Sequence, residues 1–147
     1  METYLAILKE KGLKITPLRK AILGVFQKRR STLTAEKLCG QVRTRIPNAG
    51  LQSVYRNLTD FTRVGITEEI FVEKRKAAYA LCDDASTHHH HAVCRRCRRS
   101  EEVKACGFDT VSRAMKESFR KLKRERGFQI ERHFLQLEGL CRACQKE

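Results

Sequence analysis

Apolar positions recur along this chain with two periods, and the change of period divides it. Between Glu2 and Lys11, Leu5 and Leu8, with Ile7 beside them, share one side of a short helix that stops near Gly12. In GLKITPLRKAILGVFQKRR, Leu18, Ile22, Val25 and Phe26 fall on one helical face, with Thr16 placed to cap the helix and Pro17 in its first turn. A third helix starts at Thr34, where Leu33 and Leu38 are spaced to close a hydrophobic staple, and it ends before Pro47. The run NAGLQSVYRNLTDFTRVG repeats the pattern, with Leu51, Val54, Leu58 and Phe61 inward and Gly65 as the stop.

Past Gly65 the period shortens to two. Ile66, Ile70, Val72, Tyr79 and Leu81 mark two short strands around the charged turn EKRKA, which lacks the Asn-Gly or Asp-Gly of the tightest hairpins. HHHHAVC and SEEVKAC read as further strands. GFDTVSRAMKESFRKLKRERG reads as a helix with Phe108, Val111, Met115, Phe119 and Leu122 on its core face, and basic residues crowd its last turns, where they complement the helix dipole. FQIERHFLQLEGLC returns as a strand. The expected architecture is α/β (α+β): a winged helix-turn-helix domain over residues 1–82, a hinge at 83–87, and a small α/β domain over 88–147. Open sheet edges in the second domain invite pairing with a second chain.

The 147 residues carry a net charge of +14, which draws the chain towards a polyanion. The first 82 residues hold 16 of the 31 basic side chains against 7 of the 17 acidic ones, so nucleic acid is expected there. Gln52, Ser53, Tyr55 and Arg56, on the outward face of the fourth helix near its start, are suited to base edges and phosphates. A helical bundle whose basic residues only keep it soluble is the plainer alternative. No apolar run approaches the roughly 18 residues of a membrane span, and METYLAILKEKG lacks a signal-peptide layout. A cytoplasmic protein without a membrane partner or small-molecule substrate is therefore expected, and its seven cysteines read as metal ligands before disulfides.

Cys94-x-x-Cys97 and Cys141-x-x-Cys144 form two thiolate knuckles with the spacing of a tetrahedral four-sulfur zinc site. The histidines before the first knuckle sort by strand alternation: His88 and His90 face one way, His89 and His91 the other. One pair can join Asp109 and His133 in a nitrogen and oxygen site. The other can recruit Cys82 and Glu69 from the wing, and a set with thiolate suits zinc. Asp109 can equally be a helix cap, His133 a core histidine, and Glu68 and Glu69 solvated. Cys39 and Cys106 lack partner spacing and read as small core residues.

GLKITPLRKAIL, SVYRNLTDF, HHHHAVCRRC, His133 and the final CRAC together resemble the Fur family of metal-sensing bacterial repressors over nearly the whole chain. The resemblance implies a homodimer that binds an AT-rich palindromic operator in double-stranded DNA when loaded with metal. It implies structural zinc at Cys94, Cys97, Cys141 and Cys144, an additional site at His88, His90, Asp109 and His133, and a hinge sensor of His89 and His91 with Cys82 or Asp83 and an acid near Glu69. Tyr55 and Arg56 match the recognition helix, and Lys14 and Arg19 match basic positions that touch the DNA backbone or minor groove. A cysteine directly after the wing strand resembles the zinc-sensing Zur branch, whereas Asp83 in its place would tilt the site towards iron(II). No histidine precedes His88, which argues against the family's peroxide-sensing route.

Two other classes compete. A zinc nucleobase deaminase would need an H-x-E motif and a proline before its knuckle; the histidine run has no glutamate and Val93 precedes Cys94, so no enzyme is expected. A zinc-stabilised nucleic-acid adaptor would keep the four-cysteine clamp and bind its partner whether or not the histidine sites are filled.

Overall fold

The computed structural model describes residues 1–72, 76–83, 89–103, 109–130 and 135–146, with residues 29, 72 and 109–114 as backbone. The EKRKA turn, His88, Cys106, Phe108 and His133 fall wholly or partly outside these residues, as do the side chains of Asp109 and Val111.

Four helices open the chain. In α1 (Glu2–Glu10) Tyr4 and Leu8, one turn apart, are the buried residues, while Leu5 and Ile7 pack at the rim of the core. Tyr4 goes inward because its phenol has a buried partner, donating to the Cys82 carbonyl at 3.0 Å. α2 (Pro17–Arg29) begins where the Thr16 hydroxyl accepts from the Arg19 N–H at 3.2 Å, with Pro17 in its first turn. The Thr34 hydroxyl accepts from Lys37 N–H to start α3 (Ala35–Val42), and Leu33 and Leu38 are both buried across that cap. Val54, Leu58 and Phe61 of α4 (Leu51–Arg63) are fully buried against Ile22, Leu23, Phe26 and Leu38. Gly65, at φ 77°, lets the chain leave α4 and turn into the wing.

The wing is an antiparallel pair, β1 (Thr67–Val72) and β2 (Lys76–Leu81), with Glu69 opposite Tyr79 and Ile70 opposite Ala78. Residue Leu33 adds a bridge to Tyr79 on the far edge of β2. Tyr79 and Ile66 complete the helical core, and Cys39 lies in that core as expected for a small apolar residue.

The second unit is a three-stranded sheet in the order β4–β3–β5. β3 (His90–Cys94) runs antiparallel to β4 (Ser100–Val103) and parallel to β5 (Gln136–Gly139). The long helix α5 (Asp109–Arg126) supplies the crossover and ends at Gly127, φ 66°. Ile70 and Ala80 of the wing bury against Val93 of β3, so the wing rests on this sheet. One expectation changes here. Met115 and Leu122 belong to the expected core face of α5, yet each is 37% exposed, and Phe128, just past the helix, is 61% exposed. The described part of a single chain offers α5 too little apolar surface to cover that stripe.

Candidate metal centre

Because β3 and β5 are neighbours running the same way, with Cys94 opposite Gly139, the turns that leave their ends lie side by side. Those turns carry the two knuckles. The sulfurs of Cys94, Cys97, Cys141 and Cys144 all lie within 4.8 Å of one another, Cys97 Sγ and Cys141 Sγ at 3.6 Å. Zinc bonded to four sulfurs at about 2.3 Å would hold them about 3.8 Å apart, so the cluster fits a structural zinc. The N–H groups of Cys141 and Cys97 point at the Cys94 sulfur and bring its thiol down to about 6. The N–H of Cys144 lowers Cys141 likewise. Cys144 is pushed up to about 12 by burial and by the adjacent thiols, a conflict that a divalent cation would relieve.

A second cluster lies where the wing meets β3. Ligand atoms of Cys82, His89, His91 and Glu102 fall within 4.8 Å of one another. Cys82 directly follows β2, His91 lies in β3 and His89 just before its first residue, and Glu102 stands opposite His91 on β4. The histidine rings meet edge to face with centroids 5.1 Å apart, His91 Nε2 lies 3.8 Å from Cys82 Sγ, and His89 Nε2 lies 3.6 Å from Glu102 Oε1. His91 Nδ1 and Glu102 Oε2 are buried without a hydrogen-bond partner. Thiol, imidazole and carboxylate converging on one buried point, with polar atoms still unsatisfied, fit a zinc ion.

The acids differ from expectation. Glu69 shares its face of β1 with Thr67 and Phe71 and stands opposite Tyr79, whereas Glu68 lies on the alternate face with Ile70, which meets β3. It is Glu68 that reaches the histidines, with Oε2 3.1 Å from His91 Nε2. Burial raises the Glu68 carboxyl, but the hydrogen bond and charge of His91 outweigh it and leave it lowered. Burial pushes the Cys82 thiol well up, and Glu68, Glu102 and Asp83 push the same way. Asp83, the alternative ligand, turns its carboxylate to Arg30 at 3.3 Å while its N–H donates to Glu102 Oε1. Strand alternation could have separated Glu68 from Glu69, but it needed the register of β1, which the charged turn conceals. For Glu102 the sequence carried no signal beyond its place in a strand.

Of the additional set, His90 is buried on the face of β3 opposite His89 and His91; His88, His133 and the Asp109 side chain lie outside the described residues.

On the first unit, Gln52 and Arg56 are exposed on the first turns of α4 and Ser53 is half-buried. A surface hollow brings Lys14, Thr16, Arg19, Ser53, Arg56 and Asn57 together. Arg19 is turned inward across it, with Nε on Asn57 Oδ1 at 2.9 Å and Nη2 on Asp60 Oδ2 at 2.6 Å, and so ties α2 to α4. Tyr55 donates to Glu36 Oε1 at 2.7 Å, which lowers the glutamate and raises the phenol.

The sequence pattern of the Ferric uptake regulator family matches residues 10–138. Among relatives, the Ferric uptake regulation protein of Cupriavidus metallidurans is 36% identical over 92% of this chain and 90% of its own. The Peroxide operon regulator of Bacillus subtilis is 28% identical over 100% of this chain and 94% of its own. Among solved structures, holo XcZur superposes with a TM-score of 0.74 at 25% identity, covering 99% of this chain and 96% of that one. With the four-cysteine cluster, the wing and the matched span in agreement, the chain belongs to the Ferric uptake regulator family.

Proposed function

We propose that this chain is a zinc-sensing, DNA-binding transcriptional repressor that acts as a cytoplasmic homodimer and is not an enzyme. One observation carries the choice of zinc: a buried cysteine thiol, Cys82, stands among the imidazoles of His89 and His91 at the junction of the two units. Sulfur in the ligand set favours zinc over iron(II), which does better with nitrogen and oxygen alone. Iron(II) is the second reading, supported by the ferric uptake relative at 36% identity.

In this reading residues 1–82 read DNA, 83–87 are the hinge and 88–147 form the dimerisation unit. Bound zinc supplies a double positive charge that offsets the thiolate, the buried Glu102 carboxylate and the part-exposed Glu68 carboxylate. The chain's own part is to bring Cys82 and Glu68 of the wing onto His89, His91 and Glu102, which fixes the angle of the wing and of α4 behind it. Gln52, Ser53, Tyr55 and Arg56 of both protomers then reach successive major grooves of an AT-rich palindrome. Lys14 serves the backbone. Arg19 positions α4 through Asn57 and Asp60 until DNA competes for it. The uncovered Met115 and Leu122 stripe of α5 supports a second copy as its cover. No helix among the described residues is long and apolar enough to cross a membrane.

Fluorescence anisotropy on the duplex upstream of its own gene tests the reading. Zinc-restored chain is expected to bind, and chain stripped at the hinge cluster by a mild chelator to release; equal binding by both would point to a constitutive adaptor.

A further inference from the structure

β1 is the outer strand of the wing, so alternate residues turn their peptide groups away from β2. At Phe71 those groups meet a side chain from the other half of the chain. Gln136, the first residue of β5, accepts from the Phe71 N–H through Oε1 at 3.1 Å and donates through Nε2 to the Phe71 carbonyl at 2.8 Å. A carboxamide carries an acceptor and a donor side by side, as a peptide does, so Gln136 stands in for a paired strand residue. Nε2 also donates to Glu138 Oε1 at 2.8 Å, which fixes which end of the amide is nitrogen.

The opposite edge of the wing is joined by backbone. Leu33 and Tyr79 exchange both hydrogen bonds, at 3.1 and 2.9 Å, and one residue earlier the Thr32 N–H donates to the Arg98 carbonyl at 2.9 Å. Ser100 N–H donates to the Arg30 carbonyl at 3.2 Å. Thr32 and Leu33 are buried, so this seam is a fixed pivot beside the first zinc knuckle. The Gln136 contact is exposed and made by one side chain, so it is the one that can open.

We propose that Gln136 is a positioning residue for DNA binding: a latch that holds the wing over the C-terminal sheet and supplies part of the closed orientation independently of the hinge cluster. Its effect on DNA rests on the reading of the chain as a metal-dependent repressor. Gln136 stands opposite His91 in the register of β3 and β5, so the latch and the Glu68–His91 pair grip β1 at neighbouring points. The metal then completes a closure already biased by the protein, and less zinc suffices to drive it.

The test compares the full-length zinc-loaded dimer with Gln136→Ala and Gln136→Glu, the latter keeping the acceptor for Phe71 N–H and losing the donor. Amide exchange at Phe71 is read by NMR, and the free zinc at half-maximal DNA binding by titration. Gln136→Ala is expected to speed Phe71 exchange and to raise the zinc midpoint about 3- to 10-fold, the effect of one or two net hydrogen bonds, with the four-cysteine zinc retained. Gln136→Glu, which sets a carboxylate oxygen against the Phe71 carbonyl and the Glu138 carboxylate, should do the same at least as strongly. Unchanged Phe71 exchange, or faster exchange with an unmoved zinc midpoint, overturns the latch. Should the native chain show no zinc-dependent DNA binding, the functional reading fails, and Phe71 exchange still decides whether Gln136 holds the wing.

Discussion

Cys82 Sγ lies 3.8 Å from His91 Nε2, one residue closing the wing and the other belonging to the C-terminal sheet. Cys82 ends the wing and His91 sits in β3, so any ion that binds both must fix the wing against the C-terminal sheet. Glu68 and Glu102 approach from either side of that junction, one on β1 and one on β4. An ion held in this place would couple metal to the angle of α4 by geometry alone.

Cys82→Ser removes the one sulfur that the described residues bring to the cluster between the wing and β3, and leaves the four-cysteine cluster intact. The free zinc needed for half-maximal DNA binding should rise about 10- to 100-fold, within the usual span of allosteric coupling. Zinc-buffered titration of the variant checks this, and its chelator-resistant zinc should be unchanged.

The raised Cys82 thiol fixes the sign of a pH effect. Zinc must displace that proton, so apparent zinc affinity at the hinge should climb with pH through the neutral range, about tenfold per unit for each proton released. The metal-free chain runs the other way: the fold prefers the neutral thiol, so this contribution to stability is whole below the ordinary thiol pKa and shrinks as pH rises above it. Calorimetric zinc titrations at several pH values should lose this slope in Cys82→Ser.

Tyr4→Phe deletes the hydroxyl that donates to the Cys82 carbonyl. The buried carbonyl loses its partner, at a cost of about 1 to 2 kcal/mol. Thermal unfolding of the metal-free variant should begin lower than that of the native chain, and zinc should restore part of the difference by holding Cys82 from its sulfur side.

Met115→Glu with Leu122→Glu places charge on the uncovered stripe of α5. Sedimentation should show a shift from dimer towards monomer while the far-ultraviolet circular dichroism keeps its helical signal. A dimer of undiminished strength would mean that another surface joins the protomers.

Much of this was legible in the sequence because the deciding interactions are local. Thr16 with Pro17, Thr34 with its Leu33–Leu38 staple, and the periodic residues of α4 define helices through contacts three or four residues away. The knuckles were legible because a four-sulfur site writes its spacing into each half. What the sequence did not reveal depends on register between distant segments. The phase of β1 decides that Glu68 and not Glu69 faces His91, and the pairing of β4 with β3 brings in Glu102. Tyr4 turns inward only because Cys82 offers a carbonyl 78 residues away. The stripe on α5 was rightly seen as apolar, but its pattern is the same whether the cover comes from its own chain or from another.

The most direct test of zinc sensing at the Cys82 junction is the affinity of the reduced dimer for the duplex upstream of its own gene, measured while free zinc and, anaerobically, free iron(II) are buffered separately. A steep gain at very low free zinc, none from iron(II), and loss of the zinc response in Cys82→Ser are expected. A gain from iron(II) alone, or a zinc response that Cys82→Ser leaves unchanged, would contradict zinc sensing at this junction.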